Sequence, residues 1–220
     1  MNLRFPHCAS LLLLAATLGT AQTANPPAPA SSAKAAKPAP AAIHAPDPGE
    51  IAAGVYSNHF FGFTFKLPFG WVDRTDFMRQ DSADAKADSS NSMVLLATFE
   101  RPPEASGDTL NSAVIIAAET VSSYPGLKDA WQYFGPVAEI AKSQGFTAIS
   151  QPYDFPVDGK PIVRQDFSKK LGGLTMVQSS MAMLHGPYVV SFTFIADSLD
   201  NITENLDNIR FGRPTPAKRR

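Results

Sequence analysis

Residues 60–71 read FFGFTFKLPFGW, five phenylalanines and a tryptophan in twelve positions. Phe61, Phe63, Phe65 and Leu67 alternate with Gly62, Thr64 and Lys66, the period of two that a strand shows when one face is buried. Leu67-Pro68-Phe69-Gly70 predicts a type I turn, with proline second and glycine fourth, and Trp71 opens a returning strand. The aromatics are therefore expected to form one face of a hairpin lying on a core. The competing reading is an aromatic wall around an apolar ligand.

Downstream, two nearly continuous apolar runs, SMVLLATFE and AVIIAAETV, predict strands covered on both faces. Arg101-Pro102-Pro103 ends the first run, and Gly107-Asp108 lies between the two. Strands are also expected at 152–157, 161–168, 174–184 and 188–196, joined by Asp158-Gly159, Leu171-Gly172-Gly173 and Gly186-Pro187 as hairpin turns. In the last of them Tyr188, Val190, Phe192 and Phe194 share a face.

Two helices are expected. Leu127, Ala130, Trp131, Phe134, Val137, Ala138 and Ala141 recur at helical spacing after Pro125-Gly126, with Trp131 in the core. Gly135-Pro136 predicts a kink or restart, and Gly145 the end. Asp197 or Ser198 caps a final helix whose stripe is Leu199, Ile202, Leu206 and Ile209. Residues 73–92, with Asp76, Asp81, Asp84 and Asp88, are expected to be a solvated loop. Their spacing is irregular and they lack the glycine of a calcium loop.

The chain opens MNLRFPHCASLLLLAATLGTAQTA. Arg4, an apolar run from Cys8 to Leu18 and then small residues follow the order of a secretory signal peptide, 1–21, cleaved after Ala21. The run is shorter than the roughly 20 residues of a spanning helix, so no stable transmembrane segment is expected after cleavage. A periplasmic or secreted location in a bacterial envelope follows. Cys8 is the only cysteine and would leave with the signal, so no disulfide, thiolate ligand or cysteine nucleophile is expected. Residues 22–50 hold ten alanines and seven prolines and predict a disordered Ala/Pro-rich linker. Residues 51–212 form one globular domain, and 213–220 a basic disordered tail.

Charge is nearly balanced. Without Arg4, the 19 basic residues become 18 against 20 acidic ones, which excludes the electrostatic footprint of a nucleic-acid binder. The sequence contains no G-x-S-x-G, H-E-x-x-H, G-x-x-x-x-G-K-[ST] or G-x-G-x-x-G, so the commonest hydrolase, zinc-protease and nucleotide signatures are missing. No cofactor is expected. His59 and His185 lie near strand ends and could begin a metal or hydrolase site together with loop aspartates, but no definite third ligand is in view. Arg164 and Asp166, two apart on a strand, share a face. They are read as an ion pair or anion contact on a solvated outer sheet face.

Three stretches carry a family likeness. YSNHFFGFTFKLPFGW places an asparagine before an aromatic strand that ends in proline-x-glycine-tryptophan. DGKPIVRQDFS reads as a central hairpin, and YVVSFTFIADSLDNITENLDNIRF as a closing strand, a helix and a short terminal strand. Over residues 55–212 the chain resembles the PsbP-like superfamily, whose fold occurs in the extrinsic protein of photosystem II and in a Ran-binding nuclear import factor. The resemblance implies an α+β fold, a central antiparallel sheet sandwiched by helices. It also implies a non-catalytic binding or assembly role, and no functional residue carries over position by position. The expected function is an exported, non-enzymatic accessory or binding domain held off by its linker, with another envelope protein or a small apolar ligand as partner. A hydrolase or metal-dependent enzyme using His59 and His185, or a lipid binder, are the alternatives.

Overall fold

Apolar alternation and turn glycines make strands the main regular structure among the described residues of this chain. The computed structural model describes residues 46–84, 91–105 and 107–212. The expected signal peptide, the basic tail and the linker before residue 46 lie outside the described residues.

The strands are β1 (Glu50–Ala52), β2 (Val55–Asn58), β3 (Phe63–Lys66), β4 (Val72–Asp73), β5 (Ser92–Phe99), β6 (Ala113–Thr120), β7 (Thr147–Ala148), β8 (Tyr153–Asp154), β9 (Val163–Leu171), β10 (Leu174–His185), β11 (Tyr188–Ala196) and β12 (Ile209–Phe211). The helices are α1 (Thr75–Asp84), α2 (Ala130–Ser143) and α3 (Leu199–Leu206). A large sheet runs β4-β5-β6-β11-β10-β9-β7, with β8 also on β9, and a small one runs β1-β2-β3-β12. The pairings are antiparallel throughout. The fold is a sheet-rich α+β arrangement.

The two continuous apolar runs became β5 and β6, and all eight residues of β6 are buried. Alternation along β11 assigns the faces. Tyr188, Val190, Phe192 and Phe194 pack with Tyr56, Phe63 and Phe65 of the small sheet and with Ile202 and Leu206 of α3. On the opposite face Val189 meets Tyr133 and Phe134 of α2, and Ile195 clusters with Met78 of α1. Each fully buried phenylalanine contributes about 1.5–3 kcal/mol relative to exposure, so the rings of β3 and β11 are the main adhesive between the sheets.

The aromatic stretch departs from the expected hairpin. Phe61, Phe63 and Phe65 are buried as the alternation requires. Trp71, however, does not return beside them: β3 pairs with β2 and β12, whereas β4 pairs with β5 in the other sheet. The turn is also displaced by one residue. Trp71 N–H bonds Pro68 O at 3.2 Å, which puts Gly70 third, at φ +82°. A third-position residue with positive φ marks a type II turn, and glycine meets that demand without strain.

Residues 73–92 are not simply a loop, because α1 occupies 75–84. The Asp73 carboxylate closes its first turn by accepting from Thr75 N–H at 2.9 Å and Thr75 Oγ1 at 2.5 Å. Arg79 then ties the helix to β5. Its Nε donates to Val94 O at 2.7 Å and its Nη2 to Leu95 O at 3.1 Å, where the register of β5 on β6 slips between Val94 and Leu96. A bulge leaves ladder groups unpaired, and the guanidinium takes them. Asp84 is the last residue of α1 and Asp88 lies outside the described residues.

Two expectations for α2 also change. Asp129 caps it, accepting from Gln132 N–H at 3.0 Å, and the helix passes Pro136 unbroken. Trp131 is 46% exposed rather than core; its indole N–H donates to Asp154 at 3.1 Å. Gly145 ends the helix as expected, at φ +84°, with Gly145 N–H on Lys142 O and Phe146 N–H on Ala141 O, both at 2.9 Å. That is the Schellman pattern. Ser198 caps α3, accepting from Asn201 N–H; Ile209 of the expected stripe belongs to β12 instead.

The last residues of the expected linker hold to this body. Asn58 is buried and donates to Asp47 O at 2.8 Å and to Tyr56 Oη at 3.0 Å, while Tyr56 donates to Pro48 O at 3.0 Å. Burial pushes the Tyr56 phenol up to about 12. Gly49 sits at φ +74° directly on the Tyr56 ring, where a Cβ would lie 2.5 Å from the hydroxyl.

Candidate functional site

The Pro68–Trp71 turn projects from the end of β3 and leaves Phe69 wholly exposed, with Trp71 half-buried beside it. Across from it lie α3 and the following residues. Between them is a groove of about 1080 Å³, lined also by Lys66, Leu110 and Glu100. The walls follow from chain geometry: β3 delivers the turn at one edge, and α3 starts directly after β11 and descends to β12, the strand that pairs with β3.

Acceptors dominate the polar side of the groove. Asn201, Glu204 and Asn205 line it at helical spacing along α3, and Asn208 follows in the turn after the helix. The amide nitrogens are occupied: Asn201 Nδ2 donates to Asp197 at 2.5 Å, Asn205 Nδ2 to Asn201 O at 2.9 Å, and Asn208 Nδ2 to Glu204 O at 3.3 Å. Their amide oxygens have no described partner. Glu100 accepts from Ser112 N–H at 3.2 Å and Ser112 Oγ at 2.8 Å. Glu100, Asp197 and Glu204 thus face a single ammonium, Lys66, among the lining charges, and none of the three is ion-paired with a described residue. Exposed rings beside acceptors suit a ligand that donates hydrogen bonds and offers an apolar or cationic face.

Sequence-predicted site residues fall elsewhere. His185 is half-buried, its ring 5.4 Å from Phe61 and 5.8 Å from Phe60. Burial, then the charge of Lys160, holds its pKa below 6.5. His59 is exposed. Among the described residues no group of three His, Cys, Asp or Glu side chains is gathered for a metal, so the third ligand that a site on His59 and His185 needs does not come from them.

Arg164 and Asp166 pair as their spacing allows, Nε to Oδ1 at 2.8 Å, but their side chains are only 6% and 7% exposed. The expected solvated sheet face is therefore an interior. The reason is the covering layer: Tyr153 donates to Asp166 Oδ2 at 2.9 Å, and the rings of Phe155 and Tyr153 lie 5.0 and 5.8 Å from the guanidinium. Ser179 Oγ accepts from Arg164 at 2.9 Å and donates to Asp166. With its hydrogen bonds made internally, the pair offers no open anion site.

A second buried polar cluster went unread in the sequence. Glu119 of β6 accepts from Tyr133 Oη at 2.7 Å and from Tyr124 Oη. Burial raises its pKa above 4.5, and the two phenols oppose that shift by stabilising the carboxylate. In sequence Glu119 interrupts an apolar run, which was the available signal. The groove left fainter traces: Phe69 continues the 61-63-65-67 alternation past the proline, and Asn201 and Asn205 share one side of α3 with Asn208 just beyond its end. Neither pattern says what lies opposite.

The competing reading, an aromatic wall around an apolar ligand, does not hold for these rings. Phe61, Phe63 and Phe65 are at most 1% exposed, and Phe63 meets Phe192 at 5.2 Å and Phe65 meets Phe194 at 6.4 Å, both edge-on.

No known family pattern matches the chain, and no curated protein sequence matches it. Solved structures resemble it, among them the following three. One is a Pseudomonas aeruginosa protein of unknown function, 18% identical, covering 54% of this chain and 84% of its own, with a TM-score of 0.38. The second is LpqN of Mycobacterium tuberculosis, involved in cell envelope biogenesis, 12% identical over 74% of this chain and 82% of its own, with a TM-score of 0.36. The third is the Saccharomyces cerevisiae Ran-binding protein Mog1p, 12% identical over 70% of this chain and 80% of its own, with a TM-score of 0.37.

Proposed function

We propose that this chain is an exported, non-enzymatic binding domain that takes its ligand in the groove between the Pro68–Trp71 turn and α3. The observation that carries this reading is a wholly exposed phenylalanine at the mouth of an acceptor-lined groove. Burying such a ring on a partner is favourable, and no fold requirement keeps it in water. Export by the signal at 1–21, spacing by the linker and a PsbP-like helix–sheet–helix layering complete the proposal. So does a periplasmic or secreted location, with another envelope protein as partner.

Capture from envelope extract tests it. The mature chain, a Phe69→Ala variant and a variant lacking residues 22–45 are compared. The deletion spares Asp47 and Pro48 because their carbonyls hold Asn58 and Tyr56. A specific partner retained by the parent chain and lost by Phe69→Ala is the expected result. Equal capture by both would refute the groove reading.

A further inference from the structure

We propose that the groove is occupied by the chain's own basic segment, residues 213–220, so that an external ligand must displace it. This rests on the groove being the ligand surface. The segment reads RPTPAKRR: Arg213, Lys218, Arg219 and Arg220 supply four cationic side chains without an acid, and Pro214 and Pro216 supply two rings without an N–H. Those are the complements of what lines the groove. Glu100, Asp197 and Glu204 lack an ion-pair partner among the described residues. The amide oxygens of Asn201, Asn205 and Asn208, which have no partner among the described residues, accept only, and guanidinium and ammonium groups donate only. Phe69 and Trp71 present aromatic faces, which attract cations and stack on proline. Proline also makes the segment a poor addition to a strand edge, which turns it toward side-chain recognition.

The geometry permits it. Asn208 lines the groove, and β12 begins at the next residue and runs antiparallel to β3 until Gly212 N–H meets Gly62 O at 3.0 Å. The way back to the level of Lys66 is about four strand residues, or about 13 Å at roughly 3.3 Å each. Residues 218–220 lie six to eight positions beyond Gly212, a reach of about 20 Å or more. The cationic end can therefore return to the acidic wall.

A fluorescently labelled RPTPAKRR peptide is titrated into the full chain and into a chain ending at Gly212, by anisotropy. The shortened chain should bind the peptide, and the full chain at least tenfold more weakly because its site is filled. Asp197→Lys with Glu204→Lys in the shortened chain should lose binding at least tenfold. Both positions are exposed, so an unchanged urea midpoint certifies the fold. Equal binding by the full and shortened chains, or by the charge-reversed variant, overturns the proposal. Self-association of the full chain that the truncation abolishes overturns docking within one molecule. If the shortened chain ignores the peptide while Phe69→Ala still abolishes partner capture, this occupant is wrong and the groove reading stands; loss of both results removes the groove as well.

Discussion

Replacing Phe63 by alanine separates a ring that holds the fold from one that meets a ligand. Phe63 is 1% exposed, and its ring lies 5.2 Å from Phe192, 5.8 Å from Tyr56 and 5.9 Å from Phe211. It thus joins β3 to its neighbours on both sides and to the opposing sheet. Truncation removes the transfer free energy of the ring and leaves a cavity among aromatic neighbours that cannot collapse fully, a loss of about 3–5 kcal/mol. Phe69, wholly exposed six residues later, should change stability by no more than about 0.5 kcal/mol when truncated. Urea unfolding followed by tryptophan fluorescence reads both. With a slope of about 2 kcal/mol per molar urea, Phe63→Ala should lower the midpoint by about 1.5–2.5 M, and Phe69→Ala should leave it in place. A Phe63→Ala loss below about 1 kcal/mol would refute the packed interface between the sheets.

Two further outcomes follow from the buried polar groups. Asp166→Ala leaves Arg164 charged and unpaired in the interior and should cost about 3–5 kcal/mol, whereas Arg164→Met combined with Asp166→Leu should recover most of that loss; equal destabilisation of the single and double variants would count against the pair being the cause. Glu119 has its folded pKa raised above the ordinary 4.5, chiefly by burial, so the folded state keeps this proton to higher pH than the unfolded chain does. The stability it contributes is complete below 4.5 and is lost as pH rises through the folded value. Urea midpoints between pH 4 and 8 should therefore fall more steeply for the parent chain than for Glu119→Gln, and parallel curves would show that Glu119 does not titrate there.

Much of this architecture could be read from local pattern. Alternation in YVVSFTF specifies which β11 side chains share a face whatever lies above them. Gly145, Ser198 and the glycines between strands act within a few residues of themselves, and the structure places them as expected. Where local signals conflict, distant contacts decide the outcome. LPFGW fits two turns one residue apart, and which sheet receives Trp71 depends on pairing with β5 far along the chain. Residues 75–84 carry a weak apolar pattern; the helix is held by Arg79 on a bulge that no neighbouring residue announces. Pro136 costs α2 one backbone bond, too little to break a helix whose Tyr133, Phe134 and Ala141 are buried on the sheet.

Amino-acid order by itself determined the strand periodicity, the Ser198 cap of α3 and the glycine end of α2, because each depends on neighbouring residues. Only the tertiary structure decided that Arg164 and Asp166 are interior, that Trp131 is outside, and that Phe69 overlooks an acidic wall from α3. Those outcomes depend on which distant segment covers a given face, and burial is a property of the covering layer as much as of the residue covered.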